Sequence, residues 1–469
     1  MLLTRYETDR DFCAILQFIE GMDEDLAEID KLLSDEKLFQ LLKADLSQRY
    51  PQTTKTGRNS TPVEVILRIL VLKHLRSLSY EKTIRNVKES IILRQFCRVY
   101  LNPLPSKSTL IRWSNLIKAE TLRQLNQRLT QIATQLKITQ GRKLRTDGTV
   151  VETNIHFPSD NSLLTDGVRV LSRLLREARK LLLHQNCSAN RRLFQNRNRT
   201  ARRISRRIDS LSRTYTQQGS QQRKKAYEKL LEVTLASVKQ ARIVQRLIQT
   251  IKNWEAEQLT KSFTLFISRV AQVISQTQRR VLNREKVPSS EKIVSLFESH
   301  TDIICRGKTN VLVEFGHKVW LDEVDGGIVS NYCVLKGNPH DTQQWSSTLE
   351  QHQQLFDKPP QQASADRGVF SQSNEDLAFQ LGVKQIILPK SGYRSYQRQQ
   401  QEKQQYFRQG RYWHNGVEGR ISYLKRGFGF KRCLYHGELG FERWVGWGIM
   451  AHNLTVISRT LVKQTQSKV

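Results

Sequence analysis

Residues 143–154, KLRTDGTVVETN, separate two kinds of sequence. Upstream lie helix-like runs studded with Arg and Gln. Downstream, past IHFPSD (155–160), a second long basic stretch of helical character begins. The run between them is short and β-like, and at its centre Asp147 stands beside Gly148. Placing an acid and a glycine inside a strand demands an explanation when the rest of the chain is so basic.

The excess of base is large. Lys and Arg total 76 against 44 Asp and Glu, a formal charge of +32 over 469 residues. Such a balance speaks about partners rather than fold. The cations are spread over most of the chain, which fits a nucleic acid better than a membrane surface. No apolar run approaches a membrane span, and MLLTRYETDRDFC (1–13) has no signal-peptide core, so a soluble intracellular protein is expected. The six cysteines, at 13, 97, 187, 305, 333 and 433, show no CxxC spacing. Structural zinc and a disulfide framework are therefore not expected, and the thiols read as reduced and mostly buried.

The length allows two to four domains. Residues 1 to about 58 look helical and contain the acidic segment GMDEDLAEIDKLLSDEKL (21–38), suited either to covering a basic surface or to a subunit contact. In TPVEVILRILVLKHL (61–75), Val63, Ile66, Ile69, Leu70 and Leu75 recur near helical period after a Thr-Pro start. Two shorter helices follow, the second capped by Ser106 or Ser108. From Asp160 a helix is expected because Leu164, Val168, Leu171, Leu175, Ala178 and Leu182 repeat every three or four residues. Residues 191–225 hold twelve Lys or Arg and one acid, Asp209. Ile204, Ile208 and Leu211 mark an apolar stripe there, so a basic amphipathic helix is expected.

Past REKVPSSEK (284–292) the pattern becomes mixed. HKVWLDEVDGGIVSNYCVL (317–335) reads as a hairpin around Asp325-Gly326-Gly327. WSSTLEQHQQLF is a helix, QQASADRGVF a short strand of small residues ending at an acid, and VKQIILP a strand closed by Pro389. NGVEGRISYLKRGF is expected to be a helix beginning near Asn415. The order implies an α/β core with a large helical segment inserted after its first strand.

Three acids stand out against this framework. Asp147 and Asp366 lie on separate strands, and Glu418 lies on the helix after the last one. Each alone reads as a turn residue or a solvated helix charge. Together they form a set that neighbouring strands and a crossing helix could bring to one sheet edge. Clustered carboxylates repel unless a cation offsets them, and Mg²⁺ takes oxygen ligands while leaving room for substrate phosphates. Lys425 follows Glu418 by seven residues, on the same helical face, with Arg420 and Arg426 close by.

TDGTVVETNIHFPSDNSLLTDGVRVLSRLL, GNPHDTQQW, SADRGVF and GVEGRISYLKRGFGFKRCLYHGELGFERWVGWGIMAHNLTVISRTL closely resemble the DDE transposases of bacterial insertion sequences. GRNSTPVEVILRILVLKHLRSLSYEKTIRNV resembles their helical N-terminal region, so the likeness runs from about 55 to 460. The resemblance implies a ribonuclease H-like catalytic core over 136–460, interrupted by an all-helical insertion at 160–300. It implies a helical DNA-binding or dimerisation region over 1–135 and leaves a tail at 461–469. Asp147, Asp366 and Glu418 become the catalytic and metal-binding triad, holding Mg²⁺ or Mn²⁺ as a pair of ions. The partners become double-stranded DNA, as the element's terminal inverted repeats and the target, with a homodimer or higher oligomer on DNA in a bacterial, nucleoid-associated setting. Glu418 and Lys425 also match the end of a Tyr–Arg–Glu–Lys signature, whose Tyr and Arg are out of register: His414 stands where the Arg would be. The insertion accounts for the 219 residues separating Asp147 from Asp366.

Other stretches carry DNA-binding expectations. Arg202, Arg203, Arg206 and Arg207 fall in the Arg-rich stretch, where phosphate binding is the reading. Lys107, Ser108, Thr109 and Arg112 would begin the recognition helix of a helix-turn-helix, a reading that stands level with a dimerisation layer. Trp345 and Trp413 suit core or base stacking, while Trp444 and Trp447 suit core. Asp341, Glu438 and Glu442 are rival metal ligands ranked below the triad. Serine and cysteine nucleophile motifs, a Walker loop and a Rossmann fingerprint are absent. A metal-dependent nuclease without strand transfer, and a DNA-binding transposase relic, are the two alternative readings.

Overall fold

The computed structural model describes residues 1–49, 52, 55–184, 191–305 and 313–467. The chain forms two compact units, Met1–Asn154 with Ile304–Val469, and Ile155–Ile303.

The first unit begins with eight helices: α1 (Arg10–Leu16), α2 (Glu24–Leu32), α3 (Glu36–Ser47), α4 (Val63–Leu75), α5 (Tyr80–Glu89), α6 (Ile91–Phe96), α7 (Lys107–Leu116) and α8 (Ala119–Gln135). The strand β1 (Lys143–Glu152) follows. The second unit is built from α9 (Asp160–His184), α10 (Asn198–Leu211), α11 (Gln217–Gln249) and α12 (Trp254–Thr277). The chain then gives β2 (Asp302–Cys305), β3 (Val313–Val324), β4 (Ile328–Val334), α13 (Trp345–Phe356), β5 (Gln362–Ala365), α14 (Gln372–Gln380) and β6 (Gln385–Ile387). It closes with α15 (Tyr396–Lys403), α16 (Gln405–Gly427) and α17 (Glu438–Gln466).

One mixed sheet organises the first unit. Its order is β2-β3-β1-β5-β6, with β4 also on β3. β1 is central, antiparallel to β3 and parallel to β5, and β5 is parallel to β6. Both faces are covered, as a strand between two layers requires. Leu144, Trp320, Val324, Ala363 and Ala365 join a core with Trp345 and Leu349. Val151, Val319 and Leu321 join another with Leu424, Phe428 and Phe441. The long α17 serves both cores, Trp444 and Val445 in one, Trp447, Met450 and Leu454 in the other. Trp345 is likewise fully buried, its indole N–H donating to the Asn374 carbonyl at 3.0 Å.

Several helices differ from their sequence reading. The α4 pattern suggests one apolar stripe, yet the helix is buried almost all round, including Arg68, Lys73 and His74. Arg68 tolerates this because Asp30 and Glu64 take its guanidinium at 2.5 and 3.1 Å. Asp30 also meets Arg98, and Asp35 meets Arg128. The acidic N-terminal segment thus neutralises arginines of its own chain. Ser106 caps α7, accepting from the Thr109 N–H at 3.2 Å. Helix α16 begins at Gln405, ten residues before the expected start. Its glycines suggest a boundary but mark close approaches instead: a Cβ on Gly410 would lie 2.6 Å from Ile387, and one on Gly416 would meet the Arg145 guanidinium.

The second unit has a core of its own. Leu164, Val168, Leu171, Leu175, Ala178 and Leu182 of α9 are all buried, packed with Leu230, Phe263 and Val270. Cysteines depart from expectation: Cys13, Cys305 and Cys333 are exposed and only Cys97 and Cys433 buried, all five free, while Cys187 lies outside the described residues. Among the described residues, no helix is long and apolar enough to cross a membrane.

Candidate active site

Strand register brings the first two acids together. Thr146 of β1 pairs with Ala365 of β5 in parallel register. The next residue on each strand is Asp147 and Asp366, so the two carboxylates emerge side by side. The buried QASA run of β5 keeps the strands close and leaves Asp366 at its end, exposed. Asp147 is half-buried, and its Oδ1 accepts the Gly148 N–H at 2.6 Å. Burial first, and then the charge of Asp366, push the Asp147 carboxyl up to about 6. The Gly148 N–H and His414 pull the other way, and Asp341 adds to the rise. Gly148 itself faces β3, where a Cβ would lie 2.8 Å from Lys318 and 3.3 Å from Trp320.

Helix α16 crosses this edge. His414 is buried on it, and its Nε2 hydrogen-bonds Asp366 Oδ1 at 3.1 Å. The residue that is out of register with the signature therefore orients an acid. Glu418 lies one turn further on, exposed, with no hydrogen bond or ion pair among the described residues. Lys425 is half-buried two turns beyond it on the same side, and Arg426 is exposed. Among the described residues, no three His, Cys, Asp or Glu side chains stand close enough together to hold a metal ion. Of the three expected ligands, the structure joins Asp147 with Asp366 and leaves Glu418 apart on the adjoining helix. The donor chemistry nevertheless fits a hard divalent cation, since Asp147 and Asp366 offer carboxylate oxygens side by side.

The rival acids are engaged. Asp341 is paired with Lys318, Glu438 with Lys336 at 3.4 Å, and Glu442 with Arg123 at 3.6 Å. Asp341 is nonetheless close enough to act on Asp147.

Arg420, expected near a phosphate, is engaged within the protein: its Nε donates to Glu323 Oε1 at 3.0 Å and its Nη1 meets His452 Nε2 at 3.0 Å. Glu323 is buried and is also gripped by Arg145, at 2.9 and 2.7 Å through Nε and Nη2. Arg145 reaches on to the Trp413 carbonyl at 2.5 Å and stacks on the Trp413 ring. An Arg–Glu–Arg cluster thus ties β1, β3 and α16 together two residues from Asp147. Nothing local marks it in sequence, because it depends on the Arg145–Glu323 cross-strand register. The neighbour of Glu323 on β3, the buried Asp322, is pushed up by burial and satisfied by Thr146, Thr348 and Asn331, on the opposite face.

The remaining expected DNA contacts lie elsewhere. Arg202, Arg203, Arg206 and Arg207 are exposed on α10, whose Ile208 is buried. Lys107 and Arg112 are exposed on α7, Lys107 lying 3.6 Å from Glu81.

Residues 14–116 match a family model described as "Transposase domain (DUF772)", and residues 323–454 match "Transposase DDE domain". The second match contains Asp366, His414 and Glu418, while Asp147 lies in neither. No match was found among curated proteins or among solved structures. The two matches support a DDE transposase of the insertion-sequence type.

Proposed function

We propose that this chain, with the two matched domains of an insertion-sequence DDE transposase, cleaves DNA at the element's ends and joins them to target DNA. Water and then a DNA 3′-hydroxyl would be the attacking groups, with no covalent protein–DNA intermediate. The observation that carries the reading is Asp147, midway along β1, beside Asp366 at the end of the adjacent parallel β5, with α16 laid across them. Five of the six strands, β4, β3 and β1 antiparallel in turn and then β5 and β6 parallel to β1, support a ribonuclease H-like core.

Asp147, Asp366 and Glu418 would hold Mg²⁺ or Mn²⁺, as one ion or a pair. A bound divalent cation supplies charge stabilisation at the attacking and leaving oxygens of a phosphoryl displacement. The protein's own part is positional. His414 fixes the Asp366 carboxylate, the Arg145–Glu323–Arg420 cluster fixes α16 against the sheet, and Lys425 with Arg426 hold backbone phosphate beside the acids. Assembly as a homodimer or larger oligomer on DNA, within the bacterial nucleoid, belongs to the same reading. Cleavage of a labelled duplex carrying the element's end tests it. The inverted repeats flanking the gene supply that sequence, and absence of cleavage with either ion would favour a DNA-binding relic.

Two substitutions separate chemistry from binding. Glu418→Gln keeps size and removes charge. It is expected to leave folding and DNA affinity, measured in Ca²⁺, nearly intact while abolishing end cleavage in Mg²⁺. Lys425→Ala is expected to weaken end binding as well as cleavage. Full cleavage by the Glu418→Gln protein would move the third carboxylate elsewhere, with Asp341 the acid already acting on Asp147.

The exposed α10 face would bind DNA backbone. Replacing Arg202, Arg203, Arg206 and Arg207 with Ala should weaken binding to all sequences alike. It should also lower the slope of log affinity against log salt by up to about 3.6, near 0.9 for each phosphate left without its cation. An unchanged slope would leave α10 a solvated face.

A further inference from the structure

The second unit contains a pocket of about 350 Å³ lined by Arg169, Arg173 and Arg176 of α9, by Asn196 and Asn198 at the start of α10, and by Phe297. No acid lines it. The three arginines are spaced four and three residues apart, so they share one helix face. They are exposed, and they span about 10 Å along the axis at 1.5 Å per residue. Arg169 is answered by Asp166 at 2.9 Å and lies over the Phe297 ring at 5.6 Å. Arg173 has only a distant acid, Glu177 at 3.9 Å, and Arg176 has none within ion-pair distance among the described residues. Three arginines against two flanking acids leave the pocket net positive.

One further feature favours an anion: the fourteen-residue α10 starts here at Asn198, whose own N–H donates to Asn196 Oδ1 at 2.9 Å, and the positive end of the helix dipole faces this side.

We propose that this pocket is a second DNA contact, in which Arg173 and Arg176 hold phosphates of one strand. The inference rests on the DNA-substrate reading above and adds a site outside the acids and outside the Arg202–Arg207 face. The arginine row matches about three nucleotide steps at 3.4 Å per step on one strand, and Phe297 with the two asparagines forms the wall against which the backbone sits. Both side chains point away from the unit's core, so their loss leaves folding intact.

The test uses the full chain and a fluorescein-labelled random-sequence duplex, titrated over a range of salt. Arg173→Ala/Arg176→Ala should lower the salt slope by about 1.8, two phosphates at 0.9 each, with the thermal unfolding midpoint unchanged. Arg173→Lys/Arg176→Lys should keep the slope. An unchanged slope in the alanine protein would overturn the proposal, including the case in which the α10 variant alone flattens it. Inorganic phosphate titrated calorimetrically covers the other source of the same chemistry: saturable phosphate binding abolished by the alanine pair, with duplex binding untouched, would assign the pocket to a free anion and overturn the DNA contact. A flattened slope in a protein that cleaves no element end would sustain this site while the cleavage reading fails.

Discussion

Asp147→Asn is expected to reduce cleavage of element-end DNA by at least about 10³-fold. The substitution keeps the side chain's shape and its hydrogen bond with Gly148, but removes the charge that would hold a cation. Charge stabilisation at a phosphoryl centre contributes several kcal/mol, and each 1.36 kcal/mol is a factor of ten in rate. The loss should appear in the rate of chemistry and not in duplex affinity measured in Ca²⁺. Stability should move the opposite way from activity. Folding lifts the Asp147 carboxyl to about 6, so it disfavours the ionised form that predominates at neutral pH. In EDTA at neutral pH, the Asn protein should therefore unfold at a temperature equal to or above that of the unsubstituted protein. A clear drop in the midpoint would mean that Asp147 is a structural acid, and the loss of cleavage would then be a folding effect.

Glu323→Ala is expected to do the reverse, destabilising the fold by about 3–5 kcal/mol. Glu323 is the shared acceptor of Arg145 and Arg420, and its removal leaves two guanidinium groups facing each other across β1, β3 and α16 with their acid gone. Arg145 is itself buried, so water cannot fully replace the missing partner. Urea denaturation followed by tryptophan fluorescence reads the effect, since every tryptophan except Trp254 lies in the unit that holds the cluster. Cleavage should fall as well, because α16 carries His414 and Glu418. A change under about 1 kcal/mol, the range of an exposed pair, would show that the cluster is solvated and does not hold α16 in place.

These two acids also show what a sequence can and cannot disclose. The strand at 143–152 and the helix from Asp160 are legible because periodicity is local: each needs only its own residues. The hairpin at Asp325-Gly326-Gly327 is legible for the same reason, through a turn signal between two β-rich runs. The adjacency of Asp147 and Asp366 is accessible because both strands carry an acid next to small residues. The start of α16 is misleading in sequence, since glycine is a break signal in isolation and a close-packing residue against Ile387 or Arg145. The pairing of Arg420 with Glu323 passes unnoticed in sequence, because it depends on cross-strand register and on which side α16 crosses. His414 shows in sequence only as a missing Arg. Its bond to Asp366 joins residues 48 positions apart, and no local spacing announces it.

The central claim is that these acids serve transfer of DNA strands and not hydrolysis alone. The direct measurement is end joining: a pre-cut, labelled duplex of the element's terminal repeat, incubated with the protein, supercoiled plasmid and Mg²⁺ or Mn²⁺. The account predicts label covalently joined to plasmid through the 3′-hydroxyl of the element end, absent with Asp147→Asn and with EDTA. Plasmid nicking or end degradation without any joined product would contradict it and identify a nuclease.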